Sequence, residues 1–535
     1  MHLEANDTED TRRRIAKSAG SVSIAVFASR ILGLVREQVF AGLFGAGLFV
    51  DAFVVAFRIP NLLRDLFAEG ALSSAFVTVF TDCDNKKGRQ EAFKLANNLI
   101  VTLALILVIV ILLGIAFSQN IINLMAPDFA KITGKMALTR KMANIMFPFL
   151  FLISLAAVAM GILNTMGRFF IPSIASAFFN LGSIVGGVSL YFIMPYFGQP
   201  PIVGMAIGIL IGGMLQLAIQ MPSLSKVGFR WMPRLDFGDE GLRRIMILMV
   251  PAAIGLSATQ INIFINTYFA ASCAQGSVSW LNYAFRLMYL PIGLFGVAIS
   301  IAALPVISKH ASNNDMKNLK STYTSSIVLA FMLTIPASFG LAFLSEPIIR
   351  LIFEHGRFTS YDTAKTAEAL VYYAIGLFAY SSVKITVPVF YALRDTKYPV
   401  IGSFMAVALN ILIISLTIEY FQHKAIALST SVTMIVNFLF LASVLYKKVE
   451  GYDVGYLIMS VAKITGASVI MGFFSVYVNS QMTPVFGQGI MGDFSNLIIT
   501  IFSAILMYLV LLYILRLKEC TSLIKWLLRR SAFCL

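Results

Sequence analysis

The sequence predicts an all-α polytopic membrane protein, and three observations carry that prediction. Hydrophobic residues make up 58% of the 535-residue chain and charged residues only 13%, a balance outside that of water-soluble domains. Apolar runs long enough to cross a bilayer recur from residue 18 to residue 515. The longest polar interruptions, 81–94, 226–244 and 309–320, are too short for a soluble domain. Because the runs are continuously apolar and do not alternate, a transmembrane β-barrel is excluded.

Hydropathy, punctuated by Gly, Pro and charge, divides the chain into about fourteen transmembrane helices. A polar lead, 1–17, comes first; the span after it has no small-residue cleavage site and carries Arg30, so it reads as an uncleaved first helix. Six spans follow one another near 18–44, 48–80, 94–118, 138–164, 170–196 and 201–222. A linker at 223–243 leads to six more near 244–270, 276–308, 321–345, 364–392, 398–420 and 424–446. Two extra helices near 457–480 and 490–515, within 447–515, and a basic tail at 516–535 complete the chain. Prolines 60, 148, 172, 251, 291, 305, 336 and 388 interrupt or start spans, as ordinary membrane-helix kinks do.

Alternate connections are rich in Lys and Arg, including Arg12–Arg14, Lys86, Lys87, Arg89, Lys226, Arg230, Arg234, Arg243 and Arg244. The intervening loops hold only Lys131, Lys135, Arg140, Lys141, Arg350, Arg357, Lys365 and Lys424. The positive-inside rule then predicts that both termini are cytoplasmic. It also accounts for the net charge of +15 through topology and anionic lipid, so no nucleic-acid partner is inferred.

An internal repeat appears when residue 50 is laid on residue 278. Ala56-Phe57-Arg58 then matches Ala284-Phe285-Arg286, and Leu66-Phe67 matches Leu294-Phe295, in one register across 50–80 and 278–308. The offset is six spans, an even number, so the halves run the same way through the membrane as parallel repeats. Two pseudo-symmetric six-helix lobes, 18–222 and 244–446, would enclose a central cavity.

Charge inside the first two spans points to what that cavity holds. Arg30, Arg36, Arg58 and Arg64 lie in segments otherwise apolar enough for lipid, where each ionised group would cost at least ~2.5 to 3.5 kcal/mol. Six residues separate Arg30 from Arg36, about 9 Å along a helix, and the same spacing recurs between Arg58 and Arg64. Singly, such an arginine could snorkel to an interface or pair with a carboxylate; four together point to one cationic cavity. The repeat adds Arg286, and Lys384 of the tenth span is a sixth cation. Guanidinium forks match phosphate oxygens, so the expected ligand is anionic and phosphorylated. Glu37, Asp51, Asp65 and Glu69 are either ion-pair partners of these cations or gate residues that exchange partners between two states.

Enzyme readings find no support in motifs: there is no H-E-x-x-H, G-x-S-x-G, P-loop or metal-spaced cluster, and Cys83, Cys273, Cys520 and Cys534 are widely scattered. His2, His310, His355 and His423 are expected to be solvated.

The runs SRILGLVRE, FGAGLFVDAFVVAFRIPNLLRDLFAEGALSSAFV, ILNTMGRFFIP, GSVSWLNYAFRLMYLP and FEHGRF resemble the MurJ (MviN) family of lipid II flippases, within the multidrug/oligosaccharidyl-lipid/polysaccharide (MOP) exporter superfamily. The resemblance covers the whole chain. It implies a fourteen-helix protein of the bacterial inner membrane in which the last two helices form a groove for a polyprenyl tail. The implied activity is movement of lipid II, the lipid-linked peptidoglycan precursor, from the cytoplasmic to the periplasmic leaflet by alternating access. The family's cavity arginines fall on Arg30, Arg36, Arg64 and Arg286, its acidic residue at the start of the second span on Asp51, and its basic position before the Pro-Asn pair on Arg58. Phe285 stands where members often carry an acid, and Tyr289 where some carry Glu. No cofactor is implied; the return step would draw on the membrane potential or a coupling cation, for which spans 7 and 11 offer mainly Thr259, Gln260, Asn262 and Asn410. Lipid II, membrane lipids and the cell-wall synthesis machinery are the implied partners. A flippase for another polyprenyl-pyrophosphate-linked oligosaccharide, a membrane lipid II polymerase and a non-transporting cell-wall scaffold are the alternatives.

Overall fold

A computed structural model describes the backbone of residues 2–65, 70–487 and 489–521, and side chains at residue 22 and from 24 onward within those ranges. It is all-helical, without a strand among the described residues. The helices sort into two compact units, 1–275 and 276–535.

The first unit comprises α1 (His2–Phe44), α2 (Leu48–Arg64), α3 (Ala71–Lys87), α4 (Arg89–Ala116), α5 (Ser118–Met125), α6 (Lys135–Met146), α7 (Phe149–Thr165), α8 (Phe170–Ile193), α9 (Ile202–Ala218), α10 (Met221–Lys226) and α11 (Glu240–Ser272). Phe76, Phe80, Leu99, Leu150 and Ile162 form its core where α3, α4 and α7 meet. α8 and α9 approach main chain to main chain: a Cβ on Gly208 would stand 2.7 Å from the Gly187 nitrogen, and one on Gly212 2.5 Å from the Phe179 carbonyl. Small residues permit that contact, and close packing holds membrane helices together where the hydrophobic effect cannot. α11, counted by sequence with the second lobe, packs here against α3.

The second unit comprises α12 (Ser277–Pro291), α13 (Val297–Ser312), α14 (Met316–Phe343), α15 (Ser345–Phe353), α16 (Ser360–Ile375), α17 (Leu377–Ala392), α18 (Lys397–Phe421), α19 (His423–Lys448), α20 (Val454–Phe486) and α21 (Ile490–Ile514). Ile327, Phe331, Phe390 and Leu441 centre its core. The two C-terminal helices join it, α20 packing on α14 and Tyr508 of α21 donating to the Met332 carbonyl at 2.7 Å.

Eleven helices among the described residues are long and apolar enough to cross a membrane, twelve if the pair α16 and α17 is one span bent by 43°. The bend falls at Gly376, and the Ser431 hydroxyl donates to the Tyr372 carbonyl at 2.7 Å, satisfying an acceptor there. These twelve lie where spans were expected from 94 onward. The remaining two expectations fall on α1 and on the pair α2 and α3, so the count of fourteen is not established by length and composition alone.

Three expectations need correction. The span expected at 48–80 is two helices of 17 residues each, because Gly70 leaves helical geometry at φ −98°, ψ −95°. Its repeat counterpart stays one continuous helix, Ser277–Ser312, with a π-helical stretch at Ile292–Gly296 after Pro291 at a comparable place. Lys135, assigned to a water-facing loop, is 1% exposed. His423, expected in solvent, is buried: its ring lies 5.3 Å from that of Trp280 and its Nε2 is 3.1 Å from the Lys365 carbonyl.

Candidate anion site in the membrane helices

α1 carries Arg30 and Arg36. Arg30 is half-buried, one residue after Ser29, whose carbonyl accepts a 3.1 Å hydrogen bond from Asn180 of α8. That bond and the packing of α8 along α1 fix the helix under both guanidinium groups. Arg36 donates to Glu37 Oε1 at 3.0 Å, and its guanidinium carbon stands 5.6 Å from the centre of the Phe179 ring. A neighbouring carboxylate and an aromatic face together offset the cost of placing a cation in a low-dielectric setting.

α2 carries Asp51, Arg58 and, at its C-terminal end, Arg64. Asp51 accepts a 2.9 Å hydrogen bond from Lys135 Nζ in the first turn of α6, with both side chains 2% exposed. The ammonium also sits 3.9 Å from the centre of the Phe129 ring. Such a pair adds little to stability against an apolar substitute, but losing one partner costs about 3 to 5 kcal/mol. Arg58 is half-buried. Arg64 donates to Asp65 Oδ1 through Nε and Nη2, at 3.4 and 3.2 Å, while Gln260 of α11 donates to Asp65 Oδ2 at 2.9 Å. Directly after this cluster comes the break at Gly70, where a Cβ would meet the Asp65 carbonyl at 2.3 Å. Glu69 lies outside the described residues.

In the second unit Arg286 and Lys384 are both exposed, on α12 and α17. The Ser300 hydroxyl of α13 donates to the Lys384 carbonyl at 2.7 Å. Phe285 and Tyr289 flank Arg286 in an aromatic group, the Phe285 ring lying 5.7 Å from Tyr289 and 5.5 Å from Tyr373. Where the resemblance placed acids, this chain therefore has packed aromatic rings, tilted and edge-on to one another.

Among the described residues three clusters of the expected charges are thus formed within the first unit: Arg36 with Glu37, Arg64 with Asp65, and Asp51 with Lys135. Lys135 and Gln260 were missed by sequence reasoning. Gln260 had been weighed only as a cation ligand, and Lys135 follows Gly134 in a segment, DFAKITGKMALTRK, that reads as polar loop. The available signal was that an Asp51 buried in an apolar span needs a cation.

The fold is one shared with multi-pass transporters described as members of the MOP superfamily. An inward-facing MATE family multidrug transporter aligns over 79% of this chain and 95% of its own, with a TM-score of 0.64 at 16% identity, a likeness of fold alone. Sequence is more specific: the family model described as lipid II flippase MurJ matches residues 40–514. A solved lipid II flippase MurJ in an inward closed conformation aligns at 31% identity over 92% of this chain and 98% of its own, with a TM-score of 0.76. A probable lipid II flippase MurJ of Buchnera aphidicola from Schizaphis graminum is 34% identical over 509 residues, 94% of this chain and 97% of that one. The lipid II flippase MurJ of Burkholderia cenocepacia is 34% identical over 84% of this chain and 88% of its own. The chain belongs to the lipid II flippase MurJ family.

Proposed function

We propose that this protein is a lipid II flippase of the bacterial inner membrane, a transporter and not an enzyme. The observation that carries the reading is the match of the family model over residues 40–514. In this reading both termini are cytoplasmic and lipid II enters from the inner leaflet. Arg30, Arg36, Arg58 and Arg64 of the first unit, with Arg286 and Lys384 of the second, are the cations that bind its pyrophosphate. Arg36 and Arg64 support this assignment chemically, because each is already held against a neighbouring carboxylate, Glu37 and Asp65. A pyrophosphate with more charge and more acceptor oxygens can displace or share those partners, giving bidentate pairs. The sugar-peptide head travels in water-filled space, and the polyprenyl tail stays in lipid beside α20 and α21. Alternating access then moves the head between leaflets without exposing it to hydrocarbon. Resetting draws on a coupling cation or on the membrane potential, which supplies ~2.3 kcal/mol per charge per 100 mV. Contact with the cell-wall synthesis machinery completes the proposal.

The test is the outer-leaflet accessibility of lipid II in cells where this protein is the only flippase, comparing wild type with Arg286→Ala at matched membrane expression. Collapse of the outer pool is the expected result. An unchanged pool would remove Arg286 from the site, and an outer pool absent even with wild type would reject lipid II as the substrate.

A further inference from the structure

Between α10 and α11 the chain runs without secondary structure from residue 229 to 236, yet it is held more firmly than a solvent loop needs to be. Two adjacent asparagines on α4 clasp it. Asn97 donates to the Arg230 carbonyl at 3.1 Å and accepts from the Met232 amide at 2.9 Å. Asn98 donates to the Asp236 carbonyl at 2.7 Å and accepts from the Asp236 amide at 2.8 Å. Both asparagines are buried. Phe229 is pinned edge-on to Phe93 at 5.5 Å, and Asp239 caps the first turn of α11 by accepting from Leu242. Side-chain amides have replaced water as hydrogen-bond partners of this backbone, the provision needed where irregular chain leaves bulk water.

The depth of the clasp agrees. Asn97 and Asn98 follow the charged first turns of α4, Arg89, Glu91 and Lys94, and precede its exposed apolar face, Leu105, Val108, Ile109 and Leu112. α11 passes the same boundary between Arg244 and the exposed Met246 and Ile247. At that level the segment turns Trp231, Met232, Leu235 and Phe237 outward, Phe237 at 71% exposure. Interleaved are arginines of which Arg234 pairs with Asp236 and Arg244 with Asp82, whereas Arg230 and Arg243 have no ion pair among the described residues. Aromatic and long apolar side chains beside uncompensated arginines, at the boundary of the hydrocarbon, match the headgroup region of an anionic leaflet.

We propose that residues 229–237 form an interfacial strap that inserts Trp231, Met232, Leu235 and Phe237 among the headgroups of anionic phospholipid, with Arg230 and Arg243 binding the lipid phosphates. The strap sets the depth of α4 and α11 and gives the protein a preference for anionic lipid that does not depend on the transported substrate.

The test uses the full-length protein in vesicles of phosphatidylglycerol and phosphatidylcholine, and in phosphatidylcholine alone. Subtracting the emission of Trp231→Phe from that of wild type isolates Trp231. The expected difference spectrum is blue-shifted and loses at least half its intensity to lipids brominated near the headgroup end of the acyl chain, with little quenching by aqueous iodide. Anionic lipid deepens the shift, and Arg230→Glu with Arg243→Glu abolishes the difference between the two vesicle types. Quenching by iodide and not by brominated lipid would overturn the proposal and make the segment a surface for a soluble partner. Equal behaviour of wild type and the double charge reversal in both lipids would overturn the phosphate contacts.

Discussion

The start of α2 against α6 in the first unit and the start of α12 against α16 in the second are related by the internal repeat but solved differently. The first contact is a buried ion pair, Asp51 with Lys135, closed by the Phe129 ring. In the second, Ser279 stands at the position of Asp51, and Trp280 Nε1 donates to Asp362 Oδ1 at 2.9 Å. Asp362 is in turn absorbed by its own helix end, where it and Thr359 form a capping box. One contact depends on two mutually dependent charges between helices, the other on a carboxylate already satisfied locally. The same architecture therefore carries a contact that fails as a unit in one half and a contact that degrades gradually in the other.

Breaking the first contact should have the largest effect. Lys135→Met leaves Asp51 buried without its cation and is expected to cost about 3 to 5 kcal/mol in chemical unfolding in detergent micelles. Asp51→Leu combined with Lys135→Met should recover most of that loss, because the pair and an apolar replacement of similar volume are close in energy. If the single and double variants unfold alike, the two residues are not coupled and the contrast between the halves disappears. In the second unit, Trp280→Phe removes one bond to a charged acceptor and should cost about 1.5 to 3 kcal/mol by the same measurement.

Thr359→Ala sharpens the comparison further. It removes the capping box of α16 and should lower stability by about 1 kcal/mol, whereas α6 starts on Gly134, with no side-chain cap to lose. The smallest effect belongs to a water-facing pair, Asp395 with Lys448. The hydrogen bond from Lys448 holds the Asp395 carboxyl below its ordinary range, so its contribution is present above the unfolded carboxylate's pKa of about 3.9 and is lost as pH falls through the lower folded value. A thermal melt in detergent should therefore decline slightly in acid, and Lys448→Met should flatten that part of the profile.

Spans were legible because bilayer thickness imposes a minimum apolar length, and every expected span from 94 onward lies on an observed helix or bent helix pair. The repeat was legible from Ala-Phe-Arg in both halves, and both copies depart from regular α-helix near the same register, the first by a break and the second by a π-helical stretch. Local sequence could not announce the break at Gly70, since the run LLRDLFAEGALSS is helix-compatible on both sides of it. Lys135 was misplaced for a different reason: its burial is decided by Asp51, a residue 84 positions away, and nothing within a window around Lys135 reports that partner. His423 follows Gln422 in a short connection and looks solvated until the Trp280 ring is known to cover it. Of the acids, the alternatives of partner and gate were readable, but Glu37 and Asp65 as immediate sequence neighbours of the arginines they bind emerged only from side-chain geometry.

The glycine-lined seam of α8 and α9 bears on how such a chain is made. These helices are consecutive, and at Gly204, Gly208 and Gly212 one packs directly on the other's main chain. As the ribosome delivers the chain into the bilayer, this hairpin can close once its second arm is inserted, while later helices are still unsynthesised. Earlier helices such as α1 must wait for it, because Asn180, which fixes Ser29, arrives on α8. The order of synthesis thus makes the seam a template on which the charged first helix is finally seated.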